Sequence, residues 1–278
     1  MKALVTGFTG TLGSNLLPLL YEFFDEVIGY SRDELKQQQY PKHEKLTMYL
    51  GDVRDRDRLQ EASRGVECIF HLAALKHVDK LEENPEEAIA TNVMGTMNVL
   101  HCQRMNEIPK VVMASTDKAC RPINTYGKSK AIAEDLVLRN PNNVVCRYGN
   151  VAASRGSVIP KFMDSIKKEN KIYLTHSDMT RFWIIPKAAA NFVHLSSALS
   201  GLQIPRMRAC SVKRLALMVA KMMHVDGVEI ENIGLRPGEK IHEDIQPLPD
   251  GSYLSSNNPN IQMDDRELED FIALVGKK

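Results

Sequence analysis

Tyr126 and Lys130 stand four apart in the stretch Asn124-Thr125-Tyr126-Gly127-Lys128-Ser129-Lys130. On a helix that spacing sets a phenol and an ammonium on one face. The ammonium favours phenolate and lowers the phenol's pKa. Such a pair can take a proton from a hydroxyl whose carbon gives up hydride. Thr116, upstream, can hydrogen-bond the same hydroxyl, and Asp117-Lys118 sets an acid and a base side by side next to it. The plain alternatives are a surface helix pair for Tyr126 and Lys130 and a local ion pair in a turn for Asp117 and Lys118.

A hydride needs an acceptor, and the N-terminus supplies a place for one. Thr6-Gly7-Phe8-Thr9-Gly10-Thr11-Leu12-Gly13 directly follows the β-branched run Lys2–Thr6. Gly7 permits a tight turn, Gly10 lets backbone approach a pyrophosphate, and Gly13 allows helix–sheet packing. The N–H groups at the start of the following helix, around Thr9, Thr11 and Leu12, then face the phosphates. After the second strand the chain reads Tyr30-Ser31-Arg32. A hydroxyl and a guanidinium suit a ribose 2′-phosphate, so NADP is the expected dinucleotide and NAD the alternative. Asp52-Val53 follow the third strand, where a carboxylate can accept from the adenine amino group or cap the next helix.

These groups must be positioned by the elements between them. Short apolar runs at Lys2–Thr6, Glu26–Tyr30, Leu46–Leu50, Glu67–His71, Val111–Ser115 and Asn143–Tyr148 read as strands. Helical stretches separate them, the longest running from Glu87 to Met105. Strands alternating with helices imply parallel βαβ units. The expected fold is therefore α/β, a Rossmann-type doubly wound parallel sheet whose strand C-termini share one ligand-binding edge. The second half is less regular. Ser157–Lys168, Lys187–Leu199, a helix capped by Ser211, and Glu267–Val275 read as helices. Lys171–Leu174 reads as a strand and Pro247–Asn260 as loop. The expectation is a Rossmann domain of residues 1–155 with 176–210, and a smaller C-terminal substrate-binding lobe of residues 156–175 with 211–278.

Composition narrows the function classes. The 278 residues carry 36 Lys and Arg against 35 Asp and Glu, a net charge of +1, with none of the basic excess of a nucleic-acid coat. No apolar run approaches the ~20 residues of a membrane span, and MKALVTGFTG lacks the apolar core of a signal peptide. Five scattered cysteines without a CxxC read as reduced thiols of a cytoplasmic protein. His71, His77 and His101 have no metal-ligand spacing, so no metal is expected. Met218, Met222 and Met223 read as core packing, and Lys167-Lys168 and Lys277-Lys278 as solvated charge. A homo-oligomer is compatible with the sequence, although no surface announces an interface.

With the glycine loop and the Tyr126/Lys130 pair in this order, the chain resembles the extended short-chain dehydrogenase/reductase superfamily. Asp117-Lys118 resembles the inverting UDP-N-acetylglucosamine 4,6-dehydratases; the retaining 4,6-dehydratases carry Asp-Glu there. His71-Leu72-Ala73-Ala74-Leu75-Lys76-His77-Val78, Thr91–Thr96, Arg147–Val151, Ser154–Pro160, Met179–Trp183 and Leu235–Glu243 resemble that family's segments in the same order. The resemblance implies that Leu72, Ala73, Ala74 and Asn92 touch the dinucleotide. It implies substrate contacts for Lys76, His77, Asn150, Ser157, Val158, Ile159, Pro160, Thr180, Arg181, Arg236 and Glu239. It further implies transient oxidation at sugar C-4, with Tyr126 taking the O-4 proton and Lys130 tuning it. Lys118 then removes the C-5 proton, Asp117 protonates the departing C-6 hydroxyl, and hydride returns to C-6. The product would be UDP-2-acetamido-2,6-dideoxy-β-L-arabino-hex-4-ulose. Lys118 must be neutral to act as a base, so its pKa is expected to fall from ~10.4 by burial or positive neighbours such as Lys130.

Three departures stand against this pattern. Phe8 occupies a position where the family often has Gly, Cys120 one where a small residue is usual, and the second half is short. A 5,6-dehydratase or an epimerase on the same scaffold therefore stays open. So, in another class, does a non-catalytic dinucleotide-binding sensor.

Overall fold

In the computed structural model, which describes residues 1–154 and 156–276, the apolar runs of the first half become strands. Arg155, in the segment expected to admit substrate, and the terminal Lys277-Lys278 lie outside the described residues. The chain runs β1 (Lys2–Thr6), α1 (Thr11–Leu20), β2 (Glu26–Ser31), α2 (Glu34–Gln38), β3 (Leu46–Leu50), α3 (Arg56–Ala62), β4 (Cys68–His71), α4 (Val78–Glu83), α5 (Pro85–Ala88), α6 (Gly95–Met105), β5 (Lys110–Thr116), α7 (Thr125–Leu138) and β6 (Val144–Tyr148). Then follow β7 (Asn150–Val151), α8 (Val158–Glu169), β8 (Lys171–Leu174), β9 (Thr180–Ile184), α9 (Pro186–Ser196), β10 (Gly201–Gln203), β11 (Arg208–Ser211), α10 (Val212–Met222), β12 (Glu229–Asn232), β13 (Asp244–Pro247), β14 (Tyr253–Ser255) and α11 (Asp265–Gly276).

Seven strands form one parallel sheet in the order β10-β6-β5-β4-β1-β2-β3. β4 and β6 are buried at every residue, as strands covered on both faces must be. Leu16, Leu17, Phe70 and Val193 fill one face, and Leu4, Ile69, Val99, Met113 and Val137 the other. Successive strands add to opposite sides of β1, so the strand order reverses between β1 and β4. That reversal opens a crevice at the strand C-termini, where doubly wound sheets bind ligands.

A third core lies beyond that edge. Ile159, Phe162, Ile172, Trp183, Leu215, Val219 and Ile272 close around one another between α8, α10 and α11. Three small sheets, β11-β9-β7, β12-β8 and the hairpin β13-β14, tie this lobe together. Ser211 caps α10 as expected, its side chain accepting from Arg214 N.

Two elements differ from the sequence reading. The helix expected from Glu87 to Met105 is interrupted by a π-helical segment, Ile89–Met94. Such segments shift side-chain phase and are frequent at functional sites. Here the segment carries Asn92, which accepts from Leu75 N and donates to Leu75 O and Ser129 Oγ. The stretch Pro247–Asn260 is not all loop. Tyr253–Ser255 pairs antiparallel with β13 as the second strand of a hairpin, which the turn-rich composition of the segment hides.

Candidate active site

One cavity of about 580 Å³ runs along the strand C-termini and under the lobe. Its near end is built by the β1–α1 turn. Gly7 N donates to Tyr30 O and Gly10 N to Gly7 O, which folds the loop tightly. Gly7 has φ +69°, and a Cβ there would stand 2.9 Å from Ala73 N. A Cβ on Gly13 would meet the backbone of Phe8 at 2.5 Å, so only glycine lets α1 approach. Phe8 itself is wholly buried, edge-on to Tyr40 and close over Gly29. Its ring leaves the cavity for the core, and the loop backbone stays accessible.

Thr9, Gly10, Thr11, Leu12 and Gly13 line the cavity, and among the described residues no side chain caps α1. Its first N–H groups and dipole are thus directed at whatever lies there. The hydroxyl of Thr91 is buried in the same wall without a protein partner among the described residues. A phosphate-bearing dinucleotide fits this donor set.

The opposite wall is fixed by His71. Thr96 Oγ1 donates to Asn92 O, so it accepts from His71 Nε2. Nδ1 then accepts from Thr6 Oγ1, whose lone pairs take the N–H groups of Leu72 and Ala73 at 3.1 Å each. This chain of bonds requires a neutral imidazole. Burial, helped by the charge of Lys130, pushes the His71 pKa down to about 3. Leu72, Ala73 and Ala74 therefore line the cavity in a set position. Asn92 is not on the wall; it holds Leu75 from behind.

At the end of β2, Ser31 and Arg32 line the cavity with Asp33 and Lys36. Ser31 Oγ bonds Thr9 Oγ1 at 3.0 Å, and Arg32 reaches Asp52 Oδ2 at 3.3 Å. Asp52 also accepts from Arg54. Burial raises its carboxyl pKa, but these hydrogen bonds outweigh burial and hold it below the ordinary value. The cap of α3 is Asp55, which accepts from Arg58 N; Asp52 is not the cap. Val53 lines the wall and packs against Gly95.

The middle of the cavity holds the chemical groups. Tyr126, Lys130, Thr116 and Lys118 line it together. Burial brings the Lys130 pKa down to about 8, with Glu134 opposing. Glu134 is itself held by Ser115 Oγ at 2.5 Å and by a two-point pair with Arg147. Burial pushes the Tyr126 phenol up; the leading influence against it is the charge of Lys118, where Lys130 was expected, followed by the nearby Thr116 hydroxyl.

The 3₁₀ turn Asp117–Ala119 follows β5 directly. Lys118 Nζ donates to Asp117 Oδ1 at 3.0 Å and to Asn150 Oδ1 at 3.1 Å, and lies 3.5 Å from Glu243 Oε1. The fall expected in its pKa does not occur in this state. Burial and Arg181 lower it, but Asp117 and Glu243 outweigh them and hold the ammonium above its ordinary range. Asp117 has no exposed surface and stands behind Lys118. Its Oδ1 also accepts from Thr116 Oγ1, and its Oδ2 has no partner among the described residues.

On the lobe side, Lys76, His77, Asn150, Ser157 and Val158 line the cavity. Lys76 donates to Ser154 Oγ. Six other residues expected to touch substrate are not on the wall. Ile159 is buried in the lobe core, and Pro160 follows it on α8. Thr180 Oγ1 bonds His242 and Ser256. Arg181 spends its guanidinium on the carbonyls of Thr180, Lys240 and Ile241. Arg236 is exposed, and its N–H donates to Glu239 in a local turn. Sequence reasoning assigned no individual role to Lys36, Thr91, Ser154 or Glu243. Glu243 closes the segment that begins at Leu235, so the position was visible but its contact with Lys118 was not. Among the described residues no group of three His, Cys, Asp or Glu is placed to hold a metal, and no helix is long and apolar enough to cross a membrane.

A doubly wound sheet, a glycine cradle and a Thr–Tyr–Lys set at its ligand edge define an extended short-chain dehydrogenase/reductase. Within that class the chain belongs to the polysaccharide biosynthesis protein family, whose model matches residues 3–261. It is 36% identical over 300 residues to a UDP-N-acetylglucosamine 4,6-dehydratase (inverting) of Campylobacter jejuni, covering 99% of this chain and 88% of that protein. It is 37% identical over 290 residues to a UDP-glucose 4-epimerase of Rickettsia canadensis, covering 95% and 84%. Among solved structures, that of Pen from Bacillus thuringiensis superposes with a TM-score of 0.90 at 30% identity, covering 98% and 97%.

Proposed function

We propose that the protein is an NADP-dependent dehydratase of UDP-N-acetylglucosamine, acting at C-4, C-5 and C-6 with inversion at C-5. One observation carries the reading: the Lys118 ammonium, bonded to Asp117, opens on the same cavity as Tyr126 and Thr116. An epimerase needs the Thr and Tyr/Lys set alone; the added pair suits elimination. The similarity to the Campylobacter dehydratase supports this reading, and the similarity to the Rickettsia epimerase supports its nucleotide-sugar class.

The dinucleotide, held along Gly7–Gly13, supplies the acceptor and later the donor of one hydride. Tyr126 takes the O-4 proton while Thr116 orients that oxygen; the phenolate this step needs is opposed by burial in the resting site and favoured by the Lys118 ammonium. The new C-4 carbonyl acidifies the C-5 hydrogen. In a substrate-filled, water-poor site a neutral lysine–carboxylic acid pair gains on the ion pair. One proton passing from Lys118 to Asp117 therefore creates the base and the acid together. Lys118 removes the C-5 proton as Asp117, which at rest is buried behind Lys118 and off the cavity wall, turns toward the sugar and gives its proton to the departing C-6 hydroxyl, which leaves as water. The pair returns to its resting charges. C-5 then takes up a proton on the opposite face, and Tyr126 gives up the O-4 proton, so the cycle closes with water as the sole loss. Lys76, His77, Asn150, Ser157 and Val158 are the proposed substrate contacts. The same reading assigns residues 1–155 with 176–210 to NADP and 156–175 with 211–278 to substrate; Met179 and Trp183 of the first unit reach the core of the second.

Incubation with UDP-N-acetylglucosamine tests this. Loss of one water with a new C-6 methyl signal in the proton spectrum is expected. An exocyclic alkene signal marks a 5,6-dehydratase, and an isomer of unchanged mass an epimerase. Unaltered sugar with dinucleotide bound marks a sensor.

A further inference from the structure

Lys118 faces two carboxylates, and the proposed chemistry uses only Asp117. The second, Glu243, is 2% exposed and reaches Lys118 Nζ at 3.5 Å from the lobe side. Its other oxygen, Oε2, is buried and has no hydrogen bond among the described residues. Lys240 Nζ lies 3.6 Å from that oxygen. Lys240 in turn donates to Cys120 O, at the end of the turn that carries Lys118.

Glu243 is also held along its backbone. Its N–H donates to Ser256 Oγ and its carbonyl accepts from Ser256 N. Ser256 Oγ is bonded to Thr180 as well. The residue sits at the start of the hairpin β13-β14, so the lobe, not the sheet, delivers this carboxylate to the tip of β5. A buried carboxylate with an unsatisfied oxygen is costly to keep unless its charge is used.

We propose that Glu243 is a positioning residue that clamps the Lys118 ammonium between two carboxylates and sets the proton affinity of the catalytic base. This inference rests on the reading of Lys118 as that base. The charged and titratable groups facing Lys118 are Asp117 on its own turn, Tyr126 on α7, Arg181 on β9 and Glu243 before β13, with Lys240 behind Glu243. Asp117, Lys118, Glu243 and Lys240 together are neutral. Removing Glu243 leaves an excess positive charge beside Lys118, which favours its neutral form; removing Lys240 leaves an excess negative charge, which favours the ammonium.

The test is the titration of Lys118 itself, read by NMR in lysine-labelled full-length protein, with the Lys118 signal assigned by its loss in Lys118→Met. In Glu243→Gln the midpoint is expected to move down by about one pH unit or more, and in Lys240→Met to move up. Because the pair must keep its one proton to supply both base and acid, the falling limb of the dehydration rate at high pH, with UDP-N-acetylglucosamine, follows the midpoint in both. A midpoint unmoved in both variants overturns the proposal. If Glu243→Gln fails to fold, the upward shift in Lys240→Met decides alone, its absence being the refutation. Midpoints that move without any response of the rate uphold the clamp and refute Lys118 as the base. A merely structural Glu243 alters folding and leaves the midpoint in place.

Discussion

The side-chain oxygen of Asn150 accepts from Lys118 Nζ at 3.1 Å, joining the two-residue strand β7 to the turn after β5. That bond aims the ammonium along the cavity and away from full withdrawal onto Asp117. Lys118→Met is expected to cut dehydration by about 10² or more, the usual scale for losing a general base. Asn150→Ala keeps the base and loses only its aim, so a loss of about tenfold is expected. Both variants should bind NADPH as the unaltered protein does. Mass spectrometry of the sugar nucleotide with fluorescence titration of NADPH checks this; undiminished dehydration in Lys118→Met sinks the assignment.

The choice of dinucleotide is expected to reside at the end of β2. Ser31, Arg32 and Lys36 line the cavity there, and Arg32 shares Asp52 with Arg54. A 2′-phosphate would compete with Asp52 for the Arg32 guanidinium. A charge-assisted hydrogen bond of this kind contributes ~1.5–3 kcal/mol. Arg32→Ala should therefore weaken NADPH about tenfold or more and leave NADH within about threefold. Equal effects on the two, measured by titration calorimetry, would argue that Arg32 is only an ion-pair partner.

How far the sequence carried varies with the range of the interaction. The glycine loop, six of the seven strands of the parallel sheet and the Thr116–Lys130 constellation rest on local spacing, and local spacing is what a sequence displays; the short edge strand Gly201–Gln203 carries too little pattern to be read. The contact of Glu243 with Lys118 is different, because it joins the lobe hairpin to a strand tip far upstream. Arg181 shows the same limit from the other side. It was expected to touch substrate, yet three backbone carbonyls close to it in the fold claim the guanidinium. The pKa of Lys118 could not be inferred for this reason either. Burial alone would lower it, and only the placing of two carboxylates reverses the sign.

His71 makes the fold sensitive to acid. Its folded pKa is depressed to about 3, against an ordinary 6.5. Below 6.5 the unfolded chain binds a proton that the folded chain refuses. The stability associated with His71 is thus intact above 6.5 and lost progressively as pH falls toward 3. The slope is about 1.4 kcal/mol per pH unit. Between pH 6.5 and 4.5 the unaltered protein should lose roughly 2 kcal/mol more than His71→Gln, which has no such proton to bind. Urea unfolding at the two pH values reads the difference directly, and equal losses would show that the imidazole is already charged in the fold.

Gly127 decides how closely α7 abuts the turn that carries Lys118. A Cβ at this position would stand 2.2 Å from Lys118 O and 3.2 Å from Asn124 Oδ1. The first atom is backbone in a 3₁₀ turn, and the second is the cap that accepts from Gly127 N, so neither can step aside alone. Gly127→Ala must push α7 and the turn apart, and Tyr126, the next residue, moves with the helix. A displacement on the order of 1 Å in such a set can cost about 10² in rate, and overpacking costs about 1–3 kcal/mol of stability. The expected signature is turnover slowed by roughly one to two orders of magnitude with NADPH affinity nearly unchanged, because the cradle at Gly7–Gly13 lies on the β1–α1 turn, away from this contact. A variant with undiminished turnover and a lower melting temperature would mean that the spacing of Tyr126 from Lys118 is not what the glycine protects.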